Sequence, residues 1–65
     1  MKDRVDDVSV EVAGKPAVGL YLFLRSHEEE LDGNTLAVLS TLERELFRHL
    51  SIDEMERLDE AYREW

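Results

Sequence analysis

Residues 26–35 read SHEEELDGNT and set Glu28, Glu29, Glu30 and Asp32 within five positions, beside His27 and ahead of Gly33. Carboxylates next to an imidazole are the raw material of metal ligation and of acid–base chemistry, and both tests fail here. A zinc site of the H-E-x-x-H kind needs a second histidine one helical turn on, and HEEEL has none. The other histidine, His49, lies on a different segment. A calcium loop needs oxygen ligands at alternate positions around a central glycine, a frame that EEELDGNT does not follow. Acid–base pairs need surroundings that drive their pKa values apart, and a short chain has little room to enclose such a pocket. No serine or cysteine nucleophile stands in a recognisable setting. The expectation is no catalytic residue, no metal and no cofactor.

Local structure gives these acids another role. Ser26 and Glu29 have the S-x-x-E spacing of a capping box. Glu28, Glu29 and Glu30 would then fill a first helical turn, where negative charge is favourable. Asp32, Gly33 and Asn34 break that turn before a second helix begins.

A second acidic group lies near the other end. Glu56, Glu60 and Glu64 are four apart, and Asp53 starts the same face one turn earlier. Like charges at this spacing cost a helix roughly 0.2–0.5 kcal/mol per pair. Asp53–Arg57 and Asp59–Arg63 are opposite-charge pairs that offset part of it. A helix rises 1.5 Å per residue, so the acids would form a ridge with about 6 Å between neighbours. That spacing could imitate a nucleic-acid backbone, and Glu28, Glu29, Glu30 and Asp32 would extend it if the fold brings both groups together.

The elements that must carry these residues follow from hydrophobic period. Within residues 5–12, Val8, Val10 and Val12 alternate with Ser9 and Glu11, the period of a half-buried strand. Residues 13–16, AGKP, read as a turn. Residues 18–24 are ambiguous. As a strand they pair with 5–12 in a hairpin, with Gly19, Tyr21 and Phe23 on one face. As a helix they start at Pro16 and run to Leu31. The strand is favoured for two reasons. Glu28–Glu30 would crowd the negative end of the helix dipole, and Gly19 would cost about 1 kcal/mol inside a helix. Residues 35–50 are a helix, with Leu36, Leu39, Leu42, Leu46 and Leu50 at steps of three and four and Phe47 widening the stripe. Asn34 or Thr35 is its expected cap. Ser51 and Glu54 form a second capping box for a last helix from Ile52 to Glu64, with Ile52, Met55, Leu58, Tyr62 and Trp65 inward. The predicted architecture is a single α+β domain over residues 1–65, an N-terminal β-hairpin followed by two antiparallel helices, ββαα.

Sixty-five residues hold a small core, and the chain has no cysteine to staple it. Domains of this size usually rely on tight packing or on another chain. The opening MKDRVDD alternates charge and lacks the basic-then-apolar order of a signal peptide. The apolar run 17–24 is far below the ~20 residues of a membrane helix. A soluble, cytoplasmic protein is expected. Sixteen acids against eight bases give a net charge of −8. Direct nucleic-acid binding is disfavoured, because phosphates must be neutralised by Lys and Arg; anionic membranes are disfavoured for the same reason.

Two functions remain. One is a binding inhibitor or regulator whose acids, Glu28, Glu29, Glu30, Asp32, Asp53, Glu56, Glu60 and Glu64, occupy a basic groove of a nucleic-acid-binding protein. Small, acidic, cysteine-free chains of this kind occur among phage anti-restriction and anti-CRISPR proteins, an analogy of size and charge alone. The other is a homo-oligomeric structural or regulatory subunit, antitoxin-like or an adaptor, acting through an apolar face that includes Tyr21 and Phe23. A homodimer is compatible with both.

Overall fold

A computed structural model describes residues 7–65 of the chain. Its elements are α1 (Lys15–Ser26), a 3₁₀ turn (Glu28–Glu30), α2 (Gly33–His49), α3 (Ile52–Glu56) and α4 (Leu58–Glu64). No strand occurs among the described residues, so the expected ββαα architecture and its hairpin give way to an all-helical one. Val8, Val10 and Val12 are exposed and belong to no regular element. Residues 5 and 6 of that expected strand lie outside the described residues.

The helix wins at 18–24 for identifiable reasons. A lone hairpin leaves two sheet edges unpaired and is marginal in water, whereas a helix satisfies its own backbone. Gly14 opens it with φ +66° and ψ −142°, a conformation L side chains avoid, and its carbonyl accepts from Ala17 N–H (3.0 Å) and Val18 N–H (3.2 Å). Pro16 fits in the first turn, where a missing N–H costs nothing. Val18, Tyr21 and Leu24 then fall three apart on one buried stripe. The dipole objection also dissolves, because α1 ends at Ser26 rather than Leu31. Arg25 occupies its last turn, and the three glutamates lie beyond it.

α1 packs on both α2 and α4. The buried core is Val18, Tyr21 and Leu24 of α1, Leu39 of α2 and Leu58 of α4, with Leu42, Leu46, Leu50, Met55 and Tyr62 half-buried around it. Gly19 lets α4 come close: a β-carbon there would stand 2.7 Å from Tyr62 Oη and 3.1 Å from its ring. Lys15 Nζ donates to the Trp65 carbonyl at 2.9 Å and lies 5.4 Å from the Tyr62 ring centroid, tying the start of α1 to the end of α4.

Other expectations shift by a residue or two. Asp32, not Asn34 or Thr35, caps α2 and accepts from Thr35 N–H at 2.8 Å. Ser51 and Glu54 form the expected capping box, with Glu54 N–H to Ser51 Oγ at 3.1 Å and Ser51 N–H to Glu54 Oε1 at 2.8 Å. Ser26 caps nothing; its hydroxyl donates to the Phe23 carbonyl at 2.9 Å from inside α1. The last helix is broken at Arg57, which has φ −104° and ψ 10°. Of its expected inner face, Ile52 and Trp65 are exposed. Tyr21 and Phe23 also part company. Residues two apart do not share a helix face, so Tyr21 is buried while Phe23 is exposed and stacks on His27 at 4.3 Å.

Candidate functional site

The acids divide by what they do locally. Asp32 is engaged as the α2 cap, and the Thr35 backbone N–H that it accepts from holds its carboxyl below the ordinary range. Asp53 pairs with Arg57 at 3.5 Å and Asp59 with Arg63 at 3.6 Å, as their spacing implied. Glu45 pairs with Arg48 at 3.3 Å. Among the described residues, Glu28, Glu29, Glu30, Glu56, Glu60 and Glu64 make no ion pair, and all six are exposed. The ridge Asp53–Glu56–Glu60–Glu64 does not run along one helix, because the break at Arg57 leaves Asp53 and Glu56 on α3 and Glu60 and Glu64 on α4. Among the described residues no three His, Asp or Glu side chains gather as metal ligands.

Two adjoining depressions bring part of the acidic set together. The first, about 650 Å³, has Leu22, Phe47, Ile52 and Met55 as apolar lining and Glu43, Glu56 and Asp59 as its carboxylates. The second, about 450 Å³, is bordered by Glu28, Glu29 and Glu30. Arg25 and Ser26 line both, so the acids of the 3₁₀ turn and those of α3 and α4 meet on one face of the molecule. Asp32, Asp53, Glu60 and Glu64 border neither.

The joint between the depressions is anchored from below. Arg25 Nη1 donates to Glu43 Oε2 at 3.2 Å, and Tyr21 Oη reaches the same oxygen at 3.5 Å. Burial raises the Tyr21 phenol above its ordinary pKa, and the Glu43 carboxylate adds to the rise. Phe47 (47% exposed) and Ile52 (71%) stand on this face as large apolar groups in contact with water. Sequence reasoning missed Glu43, Asp59, Phe47 and Ile52 as surface residues of one site. Glu43 and Phe47 are four apart on α2, a spacing that places them on one face and could have flagged the pair.

A third concavity lies between α1, α2 and α4. It is a groove of about 830 Å³ with Val18, Leu20, Val38, Leu42, Leu46 and Trp65 in its wall, and among the described residues Glu45 is the one acidic side chain that lines it.

Comparison with protein-family models, with curated proteins and with solved structures returns no match.

Proposed function

We propose that the protein is a non-catalytic binding module, an inhibitor or regulator that docks on a basic, partly apolar surface of another protein. One observation carries this reading. Exposed Phe47 and Ile52 sit in a depression rimmed by Glu43, Glu56 and Asp59, and Glu28–Glu30 adjoin it across Arg25 and Ser26. Apolar groups supply contact area, whereas the carboxylates steer the encounter and reject acidic partners. The protein's net charge of −8 extends that steering.

A nucleic-acid-binding enzyme is the partner favoured, because its groove is basic in order to hold phosphates. In that form the module acts as an acidic decoy, as small phage anti-restriction and anti-CRISPR proteins do. The decoy would rest on the Glu28–Glu30 and Glu56 face rather than on a helical ridge. Electrostatic docking weakens as salt shortens the Debye length from about 10 Å at 0.1 M to about 3 Å at 1 M. The test is capture of host proteins on immobilised module, with elution by salt and by DNA or RNA. A partner released at moderate salt and competed off by nucleic acid supports the decoy. Release by salt without nucleic-acid competition leaves a basic partner of another kind. Retention through high salt contradicts the reading.

A further inference from the structure

We propose that residues 8–12, VSVEV, form a strap that closes over the groove between α1, α2 and α4 and seats its valines there. The groove is separate from the acidic depressions, and the inference does not depend on what binds at those depressions.

The segment already stands at the groove. Val10 and Val12 line it together with residues of the three helices, whereas Val8 does not. Val12 is 38% exposed, but Val10 and Val8 are 80% and 70% exposed. The strap is therefore seated at its root and open beyond it. Across the gap the wall holds Val38 and Trp65, both exposed and apolar.

Pattern and length fit the strap to this place. In an extended chain successive side chains point to opposite sides, so Val8, Val10 and Val12 turn one way and Ser9 and Glu11 the other. Valine favours that conformation, because its branched β-carbon stiffens it. Seating the valines leaves the Glu11 carboxylate in water. The stretch of α2 that lines the groove, from Ala37 to Leu50, is about 20 Å long at 1.5 Å per residue. An extended chain from Val8 to Gly14 also covers about 20 Å.

The tether is what singles out this occupant. The strap joins the groove at Gly14, which lines it and has φ +66°; a glycine there lets the chain change direction without side-chain strain. A covalently attached segment is present at high effective concentration and gives up no translational freedom on seating, as a separate partner must.

Nuclear Overhauser contacts in the full chain, recorded at two protein concentrations, test this. The Val8 and Val10 methyls are expected to show contacts to Val38, Leu42 or Trp65, unchanged on dilution. Val8 decides the matter, because it reaches the wall only when the strap is closed. Val8→Ser/Val10→Ser, with both changes outside every helix, should lose these contacts and move the emission of the sole tryptophan, Trp65, to the red, with helical circular dichroism unchanged. Three results would overturn the proposal: no contact from Val8 to the groove wall, contacts that fade on dilution and so belong to a second copy, or Trp65 emission identical in the variant and the wild type.

Discussion

The Tyr62 side chain of α4 lies directly over Gly19 of α1; a β-carbon on Gly19 would lie 2.7 Å from the phenol oxygen, so a side chain there must displace the Tyr62 ring. Gly19→Val should destabilise the fold by about 1–3 kcal/mol through overpacking. Gly19→Ala should cost less, since alanine gains roughly 1 kcal/mol of helix propensity against the same clash. Urea denaturation followed by helical circular dichroism reads both; equal stability of Gly19→Val and wild type would contradict the close packing.

The two glycines that open helices make a contrasting pair. Gly14 alone has positive φ among the described glycines, and a β-carbon added at Gly14 or Gly33 would meet no neighbouring group within 4 Å. Gly14→Ala should therefore lose about 1–3 kcal/mol from the backbone alone. Gly33→Ala should be neutral or gain about 0.4–1 kcal/mol by restricting the unfolded chain. Thermal melts of the two variants, run side by side, check the sign of each.

Asp32 makes the start of α2 acid-sensitive. Its carboxylate accepts from Thr35 N–H, and that bond depresses its pKa in the folded state. A depressed value means the contribution is complete above the ordinary carboxylate range and is lost as pH falls through the folded value. Asp32→Ala should lower the melting temperature at pH 7, and the gap from wild type should narrow in strong acid. Asp32→Asn, a neutral cap, should show no such acid dependence in its own right.

Tyr21 gives the opposite sign at high pH. Burial and Glu43 raise its folded pKa above the ordinary value of 10.0. Stability from the protonated phenol is complete below that ordinary value and is lost as pH rises through the folded one. Denaturant midpoints measured from neutral to strongly alkaline pH should fall for wild type. Tyr21→Phe should flatten that part of the decline.

Much of the helical half was legible from pattern. Leu39, Leu42 and Leu46 announced α2, and Ser51 with Glu54 marked the start of α3. Asp53–Arg57 and Asp59–Arg63 paired as their spacing implied. The N-terminal half was misread because Val8, Val10 and Val12 alternate like a strand, yet no second strand exists among the described residues to pair with them. Residues 18–24 are apolar at every position except Gly19, so period could not separate strand from helix there. Two local features decided it, Gly14 as the helix start and the close approach at Gly19. The break at Arg57 carries no Gly or Pro to announce it, and the adjoining of the Glu28–Glu30 and Glu56 depressions depends on where the fold places Arg25 and Ser26.

The acidic face is tested most directly by two variants of equal net charge. Glu29→Lys/Glu56→Lys reverses acids on the paired depressions, whereas Glu60→Lys/Glu64→Lys reverses acids that border neither. The measurement is the affinity of each, and of wild type, for the partner recovered by capture, at one fixed salt concentration. The account predicts that the first variant loses about tenfold or more in affinity and that the second stays close to wild type. Equal loss in both would show that net charge alone governs binding, and no loss in either would remove the acidic face from the interface.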